Sequence, residues 1–154
     1  MIRTPVIFDQ LAAPRLFLTT VIPVRNGARF IQQTLDSVAA QVRLPDRLVV
    51  LDNASDDGTS DIVKEFMSAN PALYVTPLRC HSDIGMVANF NEALEYASET
   101  DCLHILPADD LLAPRFYAEL AAASAGATNV EVHNVAIGAE PGTLKLFDEG
   151  TSSS

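Results

Sequence analysis

Val49-Val50-Leu51-Asp52-Asn53-Ala54-Ser55-Asp56-Asp57-Gly58-Thr59 is the stretch whose reading decides the fold. Three apolar residues run into a cluster of Asp, Asn and Ser that is closed by Gly-Thr. Leu48 to Leu51 reads as a short strand buried on both faces, as in parallel sheets. Asn53 to Gly58 carries turn chemistry, because short polar side chains bond nearby backbone and Gly accepts positive φ. Thr59 is then expected to cap a helix through Val63 and Phe66, with Asp61 in its electropositive first turn. Asp52 thus stands where a strand gives way to its crossover, the edge at which open α/β sheets bind ligands. The plainer alternative is an ordinary strand-loop-helix junction with solvated acids.

The same pattern repeats on either side. Leu16 to Pro23 is β-branched and aromatic and reads as a first strand, with Pro23 at its end. After the Val24–Gly27 turn, Ile31, Leu35, Val38 and Val42 mark one face of a helix over Ala28 to Gln41. Beyond the second helix, Thr59 to Ala69, come a strand at Leu73 to Pro77 and a polar loop from Arg79 to Gly85. A helix from Met86 to Ser98 follows, with Val87, Phe90, Leu94 and Ala97 on one face. Cys102 to Leu106 is a fourth strand, and Pro114 to Ala123 an Ala-rich helix. This alternation predicts an α/β fold, a mostly parallel Rossmann-like sheet flanked by helices on both faces. Four loops then share one edge: Val24–Gly27, Asp52–Gly58, Leu78–Gly85 and Pro107–Asp110.

Composition narrows the function. The chain has 154 residues and a formal net charge of -10, with no basic stripe to suit nucleic acid. Cys80 and Cys102 form no CxxC pair and read as thiols. His81, His104 and His133 lack metal-ligand spacing, so structural roles are expected. The apolar run Leu16 to Val24 is too short to span a bilayer, and no secretory signal is read, so a cytoplasmic protein is the expectation. No GxGxxG, GxxxxGK[ST] or GxSxG motif occurs. What remains on the edge is carboxylate: Asp52 on one loop, Asp109 and Asp110 on another. Such acids suit Mg²⁺ or Mn²⁺, which take one or two carboxylates and complete their shell with water and phosphate. Asp110 as the cap of the following helix is the alternative.

Four segments, in order, resemble family 2 glycosyltransferases of the GT-A fold. Leu18 to Asn26 is similar to their first strand and "PVxN" turn, and Leu51 to Thr59 to their "VDDGSxDGT" segment. Asp83-Ile84-Gly85 through Asn89-Phe90-Asn91 resembles "NxGxxxNxN". Ile105 to Asp110 resembles the "LDADD" segment that carries the metal-binding DxD motif. The resemblance covers roughly Leu16 to Ala123. It implies a nucleotide-binding set of Pro23, Val24, Arg25, Asp52, Asn53, Gly85 and Asn89, with Asp52 bonding the base. It also implies that Asp109 and Asp110 hold Mn²⁺ or Mg²⁺ against the diphosphate of a nucleotide-sugar donor, a UDP-sugar first. The implied reaction is sugar transfer to an acceptor with inversion; the acceptor, sugar or lipid-linked, is not implied. Two positions depart from the pattern: Pro107 stands where many members carry the first Asp of DxD, and Asn53 replaces the second Asp of the "DD" pair. No residue takes the role of general base.

The organisation read from these segments is an extension over 1–14, a GT-A nucleotide-sugar-binding region over 15–123 and a tail over 124–154. The tail, with Asn129 to Gly138 and Pro141 to Phe147 as two expected strands, resembles a late segment of FkbM-type, SAM-dependent methyltransferases. The change of pattern near Ala123 suggests a truncated or recombined gene. A non-catalytic nucleotide-binding module, or a fragment of a methyltransferase fusion, is the alternative function. A plain β-hairpin covering a sheet edge is the alternative structure for the tail.

Overall fold

The computed structural model describes residues 15–124. The expected extension over 1–14, and the tail beyond Ser124 with its two expected strands and His133, lie outside the described residues.

Four strands and four helices alternate along the chain: β1 (Leu18–Val24), α1 (Ile31–Ala39), β2 (Arg47–Asp52), α2 (Thr59–Ala69), β3 (Val75–Arg79), α3 (Met86–Leu94), β4 (Cys102–Ile105) and α4 (Phe116–Ser124). All strand pairs are parallel, in the order β3-β2-β1-β4. The expected α/β class and parallel sheet are what the chain forms. β1 is buried along its whole length, and Leu48 to Leu51 of β2 are buried on both faces.

Side chains alternate across the sheet, so each strand feeds two cores. On one face Leu18, Ile22, Leu48 and Val50 pack with Ile31, Leu35 and Val38 of α1, Val63 and Phe66 of α2, and Tyr117 and Leu120 of α4. On the other, Val21, Val49 and Leu51 meet Ala93 of α3. Each large side chain removed from water in this way contributes roughly 1.5–3 kcal/mol.

Several expected boundaries shift, each for a local reason. Pro23 lies inside β1, opposite Leu51, rather than at its end. Residue 23 points its main-chain groups toward β4, which already ends opposite Val21, so no ladder bond is lost. Val42 lies outside α1 and is exposed, whereas Gln41 is buried, donating to the Ala113 carbonyl and accepting from the Tyr117 N–H. Gly58, at φ 90°, takes the cap position of α2 that was expected of Thr59. The face expected on the third helix is not its buried face. Val87 and Leu94 are exposed, while Asn89 and Ala93 are buried. Ala93 is small enough to let α3 approach Val49 and Leu51 closely, and larger apolar residues on the same turn are left outside. Beyond Leu94 the helix tightens to a 3₁₀ turn over Glu95–Glu99.

β3 runs two residues later than expected, to Arg79, and it is an edge strand. Leu48 N–H donates to the Tyr74 carbonyl and Cys80 N–H to the Asp52 carbonyl. Residues 74, 76, 78 and 80 therefore face β2, and Val75, Pro77 and Arg79 face outward.

Candidate nucleotide-sugar site

The carboxyl ends of all four strands lie on one edge of the sheet. Val24, Asp52 and Arg79 stand side by side in register across β1, β2 and β3. The chain leaving β4 is drawn toward β1: Leu106 N–H donates to the Val21 carbonyl, and Thr34 Oγ1 donates to the Ala108 carbonyl at 2.7 Å. Gly27 lies at this meeting point, and it is Val24, not Ala108, that leaves no room for a side chain there. A Cβ there would lie 2.5 Å from Val24 Cγ2 and 3.6 Å from the Ala108 Cβ. Asp109 and Asp110 therefore follow a turn seated against the first loop, on the edge that Asp52 occupies.

Asp52 is 4% exposed. Its Oδ1 accepts the Ser55 N–H at 2.9 Å, and its Oδ2 accepts from the Ser60 hydroxyl and from Arg79 Nη1 at 2.8 Å. Burial works against its charge, but the Ser55 and Ser60 hydrogen bonds and the Arg79 guanidinium outweigh it, holding the carboxyl below the usual carboxylate range. Oδ2 is engaged twice, whereas Oδ1 accepts a single hydrogen bond and keeps one lone pair for a further donor.

The three loops that follow β1, β2 and β3 form one network. Arg25 Nη1 donates to the carbonyls of Asn53 and Ala54 at 2.8 and 3.1 Å, and its Nε lies 3.3 Å from Asp83 Oδ2. Asn53, 1% exposed, donates to Asp83 Oδ1 at 2.8 Å and accepts the Ile84 N–H at 2.9 Å. Asp83 Oδ1 also accepts the Gly85 N–H; this bond, with that from Asn53 and the Arg25 charge, lowers its pKa against a smaller effect of burial. Ser55 Oγ accepts from Asn26 N–H, Thr59 Oγ1 from Gly27 N–H and Asp57 Oδ2 from Ala28 N–H. Asn26 and Ala54 both carry positive φ, 51° and 53°. For Ala54 that conformation costs about 1 kcal/mol or more and persists because its neighbours enforce it.

Pro23 and Val24 are buried, and Arg25 is exposed. Gly85, at φ 86°, precedes α3. Asn89 of α3 donates to the Leu51 carbonyl at 3.2 Å. Its buried Oδ1 has no hydrogen-bond partner among the described residues. Asp109 is exposed and Asp110 half-buried, and α4 begins only at Phe116, so Asp110 does not cap it. No group of three or more His, Cys, Asp or Glu able to hold a metal occurs among the described residues. Two open clefts, of about 460 and 520 Å³, flank β3 and share Leu78 and Arg79; neither contains Asp109 or Asp110.

Below the edge, Thr20 donates to Tyr117 Oη at 2.7 Å, and Tyr117 Oη lies 3.2 Å from His104 Nδ1. Burial depresses the His104 pKa to about 4, so this histidine is neutral in the fold. Cys80 and Cys102 are free thiols. Arg79, Ser55 and Ser60 are the contributors that sequence reading missed. Strand register alone places Arg79 beside Asp52, whereas the Ser55 contact is a local turn three residues on and Ser60 lies in the first turn of α2.

The family model for glycosyl transferase family 2 matches residues 19–145. The chain belongs to that family. The match extends into the tail over 124–154 as far as residue 145, and the expected methyltransferase resemblance of that tail is not shown. An uncharacterised protein of Mycobacterium tuberculosis is 33% identical over 86 residues, 55% of this chain and 24% of that protein. Glycosyltransferase AglE of Haloferax volcanii is 38% identical over 55 residues, 34% of this chain and 18% of that protein. Among solved structures, the mannosyltransferase PcManGT of Pyrobaculum calidifontis, in complex with GDP-Man and Mn²⁺, superposes with a TM-score of 0.61 at 29% identity. That match covers 72% of this chain and 32% of the mannosyltransferase. TarS of S. aureus, in complex with UDP, shares the fold at a TM-score of 0.59 and 22% identity, over 70% of this chain and 31% of TarS. The chain thus spans about a quarter of the length of the first of these curated relatives. Among the described residues no helix is long and apolar enough to cross a membrane.

Proposed function

We propose that this chain binds a nucleotide-diphosphate sugar, a UDP-sugar first, and serves its transfer to an acceptor with inversion at the sugar carbon. The region over 15–123 is assigned the donor site. Pro23, Val24, Arg25, Asp52, Asn53, Gly85 and Asn89 form its nucleotide side, and Asp109 with Asp110 the cation side. The carrying observation is convergence: three loops are bonded into one rim, and the acidic turn after β4 is drawn against the first of them.

The residues divide the work. Arg25 and Asn53 hold the rim, and the free amide groups at the start of α3 lie beside it, where a phosphate is favoured. Asn89 keeps an acceptor oxygen near the end of β2. Asp109 and Asp110 are adjacent hard oxygen donors, and two carboxylates suffice for Mn²⁺ or Mg²⁺ that share a diphosphate. When bound, that cation stabilises the negative charge gathering on the departing diphosphate. The ligands bound by the mannosyltransferase and by TarS, GDP-Man and UDP, support the class of ligand.

The test is thermal unfolding with UDP and with GDP, each with and without Mn²⁺. Ligand at a hundred times its Kd stabilises the fold by about 2.7 kcal/mol, which raises the melting temperature by several degrees. No shift with any nucleoside diphosphate overturns the proposal.

A further inference from the structure

The donor-site reading leaves Arg79 without a part, yet Arg79 bonds the entry to the second loop, its middle and the helix that follows it. It ends the edge strand β3, opposite Asp52 in register. Its Nη1 donates to Asp52 Oδ2 at 2.8 Å and to Ser60 Oγ at 2.6 Å. Its Nη2 donates to the Ser55 carbonyl at 2.6 Å. These partners sit at the end of β2, in the middle of the loop and in the first turn of α2. One planar guanidinium therefore spans the loop from entry to exit.

Resting on the donor-site reading, we propose that Arg79 is a positioning residue for that site. It acts through Asp52 and the Ser55 carbonyl to hold residues 53–58 in the form a nucleoside diphosphate meets. The need for such a clamp is visible in the loop itself. Ala54 is held at φ 53° and Gly58 at φ 90°, so the free loop has other conformations open to it. The carbonyls of Asn53 and Ala54 anchor Arg25, and the Asn53 side chain anchors Asp83 and Ile84. Displacement of this loop therefore moves the rim on both sides of it. The Arg79 side chain is half exposed, so water screens the charge pair, and the fork geometry carries the effect. A lysine at this position supplies the charge but cannot serve all three acceptors in one plane.

The experiment titrates UDP in Mn²⁺ buffer by calorimetry into the wild-type chain, Arg79→Ala and Arg79→Lys. Amide exchange of the unliganded proteins is followed in parallel. Arg79→Ala is expected to bind about tenfold more weakly, with Arg79→Lys between the two. Exchange should quicken over residues 53–58 and stay unchanged in β1 and in Val63 to Phe66. Equal affinity in Arg79→Ala overturns the proposal. So does weaker binding with unaltered exchange of the loop, which would make Arg79 a direct ligand contact. If the wild-type chain binds no nucleoside diphosphate, the donor-site reading fails, and exchange alone decides whether Arg79 holds the loop.

Discussion

The tips of β2 and β3 and the tip of β4 share one edge but are built by opposite rules. At β2 and β3 the buried polar side chains, Asp52 and Asn53, have protein partners on both of their terminal atoms. Asp52 accepts from Ser55, Ser60 and Arg79, and Asn53 from Ile84 while donating to Asp83. At β4 the acids are left to solvent: Asp109 is exposed and Asp110 half-buried. The first tip is finished before any ligand arrives, so its acids serve stability as well as shape. The second adds little to the fold and is available to a cation. Beneath it lies the reverse case, the buried His104–Tyr117–Thr20 chain, which is polar but closed to solvent.

Acid should separate these regions most strongly. Burial holds His104 at a pKa of about 4, below its ordinary 6.5, so the unfolded chain takes up the proton first. Its contribution is complete above pH 6.5, falls as the pH drops toward 4 and then levels off. The loss is about 3 kcal/mol in urea unfolding at stepped pH. His104→Gln should flatten that window. Asp52, with its lowered pKa, loses its contribution only below the ordinary carboxylate value of 3.8. A loss between pH 6.5 and 4 that survives in His104→Gln would place the sensitivity elsewhere.

Asp52→Ala is the next largest change. It strips the acceptor from Ser55, Ser60 and Arg79 together and should cost about 2 kcal/mol in the unliganded chain. Asp57→Ala should cost about 1 kcal/mol, because Asp57 accepts the Thr59 N–H at the start of α2 and the Ala28 N–H in the turn that precedes α1. Asp109→Ala should change unliganded stability by less than about 0.5 kcal/mol, yet remove the Mn²⁺-dependent part of the shift with UDP. If Asp109→Ala destabilises the free chain as much as Asp52→Ala does, the contrast between the tips is broken.

Much of this was legible in the residues. The apolar run before Asp52 and the polar cluster after it state a buried strand and its turn without help from the rest of the chain. The Thr59 to Ala69 helix is found at its expected bounds. What failed was tertiary. The register of β3 decides that Arg79, and not a loop residue, stands beside Asp52, and no local pattern contains a register. The rotation of α3 is set by the close contact of Ala93 with the sheet, so counting large apolar residues chose the wrong face. The Thr59 hydroxyl accepts the Gly27 N–H from another loop, a partner invisible in its own stretch.

Pro77 has a consequence for assembly. It removes a donor from the outward row of β3, so a further chain meets a gap in the ladder on that side. At the opposite border, Leu103 and Ile105 turn their main-chain groups away from β1, and nothing in Cys102–Ile105 interrupts them. Among the described residues the two borders of the sheet therefore differ: the β4 border, on the flank where Asp109 and Asp110 lie, keeps an unbroken row of main-chain donors and acceptors, and the β3 border is interrupted at Pro77.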